Sequence, residues 1–130
     1  MPHRCIRRSL FVVALSLALS AAARASPDPA AQGEIDHLLR YVAQSSCTFV
    51  RNGDEYSGEK AREHLAMKYR FVGGRISTAE EFIQYLGTGS SVSGEPYHVK
   101  CGNVDALSGP WLTAELQRYR QTVHVRKVAQ

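Results

Sequence analysis

Cys47 and Cys101 constrain the fold of this chain more than any other pair of residues. Cys47 opens the run CTFVRNG at 47–53, and Cys101 closes the run YHVKC at 97–101. A disulfide holds its two Cα atoms about 6 Å apart, so a bridge between these cysteines would lay the two runs side by side. Thr48-Phe49-Val50 is β-prone and leads through Arg51 into Asn52-Gly53, a hairpin-turn signal. Tyr97, Val99 and Cys101 alternate with His98 and Lys100, the period of a half-buried strand. The expectation is a small two-stranded element pinned by a Cys47–Cys101 disulfide.

Whether such a bridge persists depends on the compartment, and the N-terminal residues address that. Arg4, Arg7 and Arg8 form a basic start, Leu10 to Ala22 is a short apolar run, and Ala23-Arg24-Ala25 has the small-x-small pattern of a signal-peptidase site. The run is too short, and too promptly followed by a cleavage site, for a good membrane span. Cleavage after Ala25 would leave Cys47 and Cys101 as the cysteines of the exported protein, in a compartment where disulfides last. Free or metal-binding thiols are the competing reading, but no CxxC and no adjacent histidine accompanies either residue. The expected location is the periplasm.

Charge points the same way. The whole chain carries a net +4, which alone would suggest nucleic acid or an anionic membrane surface as partner. Removing Arg4, Arg7, Arg8 and Arg24 takes the 16 Lys and Arg to 12, equal to the 12 Asp and Glu. The excess belongs to the leader, so general attraction to polyanions is not supported.

Around the paired runs the pattern is helical. Ser26 to Gly33 (SPDPAAQG) reads as a flexible N-terminus. Ile35, Leu38, Leu39 and Val42 then recur at helical spacing from Glu34 onward. A second helix begins after Ser57, a plausible N-cap, with Ala61, Leu65, Tyr69 and Val72 as its apolar stripe, and Gly73-Gly74 ends it. Ser77-Thr78 with Glu80-Glu81 gives overlapping capping boxes before Phe82, Ile83 and Leu86. The segment 87–94 (GTGSSVSG) reads as a loop, and 102–109 as a connector. A last helix starts at Ser108 to Pro110 and buries Trp111, Leu112 and Leu116. The fold class expected is α+β and mainly helical, with about four short helices. Its parts are a leader at 1–25, a flexible segment at 26–33, one globular domain at 34–122 and a basic tail at 123–130.

Four motifs in this order resemble the YfeK-like family of small exported bacterial proteins, a domain of unknown function. They are SSCTFVRNG at 45–53, AREHLAMKY at 61–69, TAEEFI at 78–83 and SSVSGEPY at 90–97, and WLTAELQRYR at 111–120 is similar to the family's closing segment. The resemblance spans roughly Glu34 to Arg120 and implies a periplasmic, single-domain protein. It implies no catalytic residue.

Several polar residues can be weighed as a site. Arg51 offers a planar fork for a carboxylate or phosphate, and Lys68 a point charge. Asn52, His64, the hydroxyls of Ser90, Ser91 and Ser93, and Tyr97 fall in segments that the disulfide would bring together. They would form a pocket for an anionic or saccharide ligand, with an envelope protein as the other class of partner. The plain structural reading takes Asn52-Gly53 as a turn, 90–94 as a loop and Lys68 as a helix charge. A serine hydrolase using Ser93 and His64 is the rival reading. It lacks a nucleophile elbow, and no carboxylate is evident to orient the histidine. Neither a metal nor an organic cofactor is indicated: His37, His64, His98 and His124 stand singly, none at i, i+4 with another. The function expected is a non-catalytic binding module of the cell envelope, with a partner-binding protein lacking any pocket as a further alternative.

Overall fold

The computed structural model describes residues 26–130, so the leader expected at 1–25 lies outside the described residues. The first helix, α1 (Pro29–Gln44), starts earlier than its apolar period predicts and takes in most of the segment expected to be flexible. Asp28 caps it, accepting from the Ala31 N–H at 2.7 Å, and Pro29 occupies the first turn. A capping carboxylate followed by a proline with pre-set φ is a helix start, which the composition of 26–33 concealed. Ile35, Leu38, Leu39 and Val42 are all buried, as the spacing predicts.

The sheet is larger than expected. Four antiparallel strands replace the two, in the order β2-β1-β3-β4, with β1 at Thr48–Arg51, β2 at Asp54–Tyr56, β3 at His98–Cys101 and β4 at Val104–Leu107. Asn52 and Gly53 have φ of 50° and 83°, the double positive pair of a type I′ hairpin turn between β1 and β2. Gly102 has φ 59°, which suits the first position of a two-residue turn between β3 and β4. The segment read as a connector from 102 is thus a hairpin return. Its cue, Gly-Asn between two short runs, is weak because Asp105 and the exposed Val104 break the alternation.

The central pair is β1 with β3, in which Thr48 faces Lys100, Phe49 faces Val99 and Val50 faces His98. Cys47 and Cys101 sit one step further on and form the disulfide, with Cα atoms 4.6 Å apart. The period-2 rule then fixes the faces. Phe49 and Val99 are buried against the helices, whereas Lys100 pairs with Glu55 at 3.0 Å and His98 with Asp105 at 2.9 Å on the solvent side.

Helix α2 (Gly58–Val72) is capped by Ser57, whose hydroxyl accepts from the Lys60 N–H at 3.3 Å. Gly58 makes the junction with α1 possible. A Cβ there would lie 2.8 Å from the Ser45 carbonyl oxygen and closer still to that of Val42. A 3-10 turn at Gly73–Arg75 leads to the short α3 (Ala79–Phe82), capped by Thr78, which passes into a π-helical turn at Ile83–Gly87. Phe82, Ile83 and Leu86 join Leu112 and Leu116 of α4 (Ser108–Val128) in the core. Helix α4 also includes most of the segment expected as a tail. Val125 and Val128 there are exposed, so the helix simply continues past its last core contact. No helix among the described residues is long and apolar enough to cross a membrane.

One buried charge locks α1 to α4. Glu115, 4% exposed, accepts from Arg118 through both oxygens and lies 2.5 Å from Nε2 of His37. Burial pushes its pKa up, but the bonds to Arg118 and His37 outweigh burial and hold it below the usual carboxylate value. Arg120 adds a second clamp, reaching Glu34 on α1 and Glu80 on α3.

Candidate functional site

The helix-facing side of the sheet runs out of apolar residues at one end, and polar groups take over there. Arg51 follows Phe49 by two positions and therefore shares its face, while Tyr97 precedes Val99 by two and shares that face too. Because Val50 pairs with His98, the next step of the register sets Arg51 opposite Tyr97. Tyr56 pairs with Phe49 from β2. Helix α2 passes over this end of the sheet and supplies His64 and, one turn later, Lys68. Side chains distant in sequence meet there because β1 and β3 are neighbours.

The contacts form a continuous chain. Arg51 donates from Nη1 to Nδ1 of His64 at 2.5 Å and from Nη2 to the Tyr56 hydroxyl at 3.1 Å, and its guanidinium lies over the Tyr56 ring, 4.7 Å from the centroid. Arginine cannot give up its proton in a protein, so Nδ1 of His64 must be the acceptor. The ring proton then sits on Nε2, which faces the Tyr97 hydroxyl at 3.3 Å. Lys68 donates to the carbonyl oxygens of Leu86 at 2.9 Å and Gly89 at 3.1 Å, and to the Tyr97 hydroxyl at 3.2 Å. The Tyr97 oxygen thus accepts from two sides, and its own proton has no acceptor among the described residues. Arg51 uses two of its five N–H groups, so the others are free to meet a ligand.

Electrostatics at this end of the sheet favour negative charge in the cleft. Neither Arg51 nor Lys68 forms an ion pair with a carboxylate among the described residues. Burial, and then the Arg51 charge, lower the Lys68 pKa. Burial, followed by Arg51 and Lys68, lowers that of His64, so the imidazole is neutral near pH 7. Burial raises the Tyr97 pKa against the opposing effect of Arg51, so its hydroxyl keeps its proton. A half-buried cluster of donors with two unpaired cations is stabilised by an anion.

Two recesses meet at this cluster and share Arg51, Tyr56, His64, Met67 and Tyr97 as walls. The wider, of about 620 Å³, is bordered by Asn52, Asp54, Lys68, Ser90 and Ser91, with exposed Phe71 and Val92 on its rim. The narrower, of about 300 Å³, runs in between α2 and the sheet and is walled by Val42, Phe49, Ala61 and Leu65. Its carboxylate, Glu63, is paired with Lys60 at 2.9 Å.

The structure gathers most of the residues singled out from the sequence but gives them unequal parts. Arg51, His64, Lys68 and Tyr97 form one bonded cluster, and Asn52, Ser90 and Ser91 border the wider recess. Ser93 stands outside the cluster. Its hydroxyl donates to Oδ1 of Asn52 at 2.6 Å, tying the serine loop to the β1–β2 turn, and it accepts from the Glu95 N–H. A Ser93–His64 dyad is not assembled, because both ring nitrogens of His64 are directed at Arg51 and Tyr97. Lys68 is also placed differently from a direct ligand contact, since all three of its N–H donors are spent on protein oxygens. It contributes charge and holds the loop. Tyr56 was not singled out from the sequence. Its position opposite Phe49 in the hairpin, counted back from the Asn-Gly turn, was the available signal.

Comparison with known proteins agrees with the sequence motifs. The model of DUF5329, a family of unknown function, matches residues 29–120. The uncharacterized protein YfeK of Salmonella typhimurium (strain LT2) is 42% identical over 87 residues, covering 66% of this chain and 71% of that protein. No solved structure matches.

Proposed function

The chain belongs to DUF5329, a family of unknown function, and on that footing we propose that it is a non-catalytic binding module for a small anionic ligand, anionic saccharides included, working in the cell envelope. One observation carries the reading: Arg51 and Lys68 share a half-buried cleft in which no carboxylate is bonded to either among the described residues. Two such cations are costly to bury together unless an anion compensates them. Arg51 and the Tyr97 hydroxyl make the direct contacts, neutral His64 orients both, and Lys68 supplies field. Ser90, Ser91 and Asn52 form the facing wall.

The envelope location has separate support. The Cys47–Cys101 disulfide suits an oxidising compartment, and the 1–25 segment has the pattern of a cleaved export signal. Fractionation with N-terminal sequencing tests it: a periplasmic protein beginning at Ser26 is expected, and a cytoplasmic one retaining Met1 would refute it.

Calorimetric titration of the purified, disulfide-bonded protein with phosphate, acetate and glucuronate tests the binding reading. Binding of at least one is expected in wild type and is lost in Arg51→Gln. Equal binding by both proteins would move the ligand away from this cleft.

A further inference from the structure

We infer that the ligand of this site is an amphipathic anion: one acidic head on the Arg51–Tyr97 cluster and an apolar group in the recess between α2 and the sheet. The inference rests on the anion-binding reading above and names the ligand's second half. The narrow recess is the observation that carries it. It shares Arg51, His64 and Tyr97 with the wider recess, yet Val42, Phe49, Ala61 and Leu65 line it alone. Most of its lining surface is apolar, and its carboxylate and ammonium, Glu63 and Lys60, neutralise each other.

Size fits an apolar group. The recess measures about 300 Å³, whereas an engineered apolar cavity of about 150 Å³ is already enough to take up benzene. A small hydrated anion such as phosphate would use the donors and leave that volume unfilled. A ligand with an acidic head and an aliphatic or aromatic body would use both. The donors are common to both recesses, whereas Val42, Phe49, Ala61 and Leu65 line the narrow one alone, so the head can keep contact with the wider recess while the body lies against α2 and the sheet. The same chemistry is found at the end of an acyl chain and at the C-terminus of a peptide ending in an apolar residue.

A chain-length series on the wild-type protein tests this. Acetate, butanoate, hexanoate and octanoate are titrated calorimetrically, with 1-octanol as the uncharged control and acetyl-Leu-Leu as the peptide form. Affinity should rise by about fourfold per methylene until the recess is full, and octanoate should bind at least tenfold more tightly than 1-octanol. The ratio of octanoate to acetyl-Leu-Leu then identifies the source. If acetate and phosphate bind but lengthening the chain gains nothing, the inference falls while the anion reading stands. Equal binding of octanol and octanoate overturns the acidic head, and no binding by any probe overturns both readings. The variant Ala61→Leu, which narrows the recess, should retain acetate binding and lose the chain-length gain. Should it fail to fold, the wild-type series still decides.

Discussion

The guanidinium of Arg51 donates to Nδ1 of His64 across 2.5 Å, and this contact fixes which nitrogen of the ring carries its proton. A second proton on His64 would set two donors against each other at that distance. The imidazole is therefore held neutral with its proton on Nε2, directed at Tyr97.

His64 accordingly should titrate below its ordinary value of 6.5, with burial as the main cause and Arg51 and Lys68 adding to it. The unfolded chain takes up this proton before the folded one does. The stability contributed is therefore complete above about pH 6.5 and is lost as pH falls through the folded value. Proton NMR titration of the His64 ring checks this. Arg51→Met should raise the midpoint, and an unchanged or lower midpoint would show that the contact does not set the charge.

Asp54 lines the wider recess and forms no ion pair among the described residues, so it opposes an incoming anion. Asp54→Asn should strengthen binding of an anionic probe severalfold, with the gain shrinking as salt is added. Weaker binding would mean that this carboxylate helps to hold the ligand.

Lys68 bonds three oxygens at once, two of them the backbone carbonyls of Leu86 and Gly89. Lys68→Met removes all three of these bonds and should cost about 2–3 kcal/mol in urea denaturation. Lys68→Arg should not restore the loss, because a planar fork cannot address three points arranged around an ammonium. Unchanged stability in Lys68→Met would assign the residue to the ligand instead.

The Cys47–Cys101 bridge spans a sequence separation of 54. Replacing both cysteines by alanine should lower stability by about 4 kcal/mol in the chain-entropy model. The denaturation midpoint of the double variant, against oxidised wild type, reads this directly.

Gly58 brings the start of α2 against the backbone at the end of α1. In Gly58→Ala the added methyl meets the carbonyl oxygens of Val42 and Ser45, which cannot rotate aside. A loss of about 3 kcal/mol is expected, visible as a lower melting temperature, despite the better helix propensity of alanine. A neutral result would mean that α1 and α2 separate at little cost.

The sequence by itself determined those features that rest on local periodicity and chain punctuation. The α1 stripe from Ile35 to Val42 is buried, the Ser57 and Thr78 caps form, and Asn52-Gly53 turns the first hairpin. These follow from bonds or spacings within a few residues. The neighbouring of β1 and β3 was also legible, because two cysteines fixed one long-range distance. The second hairpin was not. Val104–Leu107 is an exposed edge strand whose pairing with β3 gives it a strand conformation that its own residues barely signal. Legibility in the site followed the same division. Residue types suited to an anion could be read at Arg51, His64, Lys68 and Tyr97, but their hydrogen-bond partners could not. Only packing α2 across the end of the sheet decided that Lys68 would spend its donors on the protein, that His64 would face Arg51 and not Ser93, and that a recess would open beside Phe49. Each of those outcomes depends on which groups lie within about 3 Å of one another, a distance that tertiary packing fixes and sequence spacing does not.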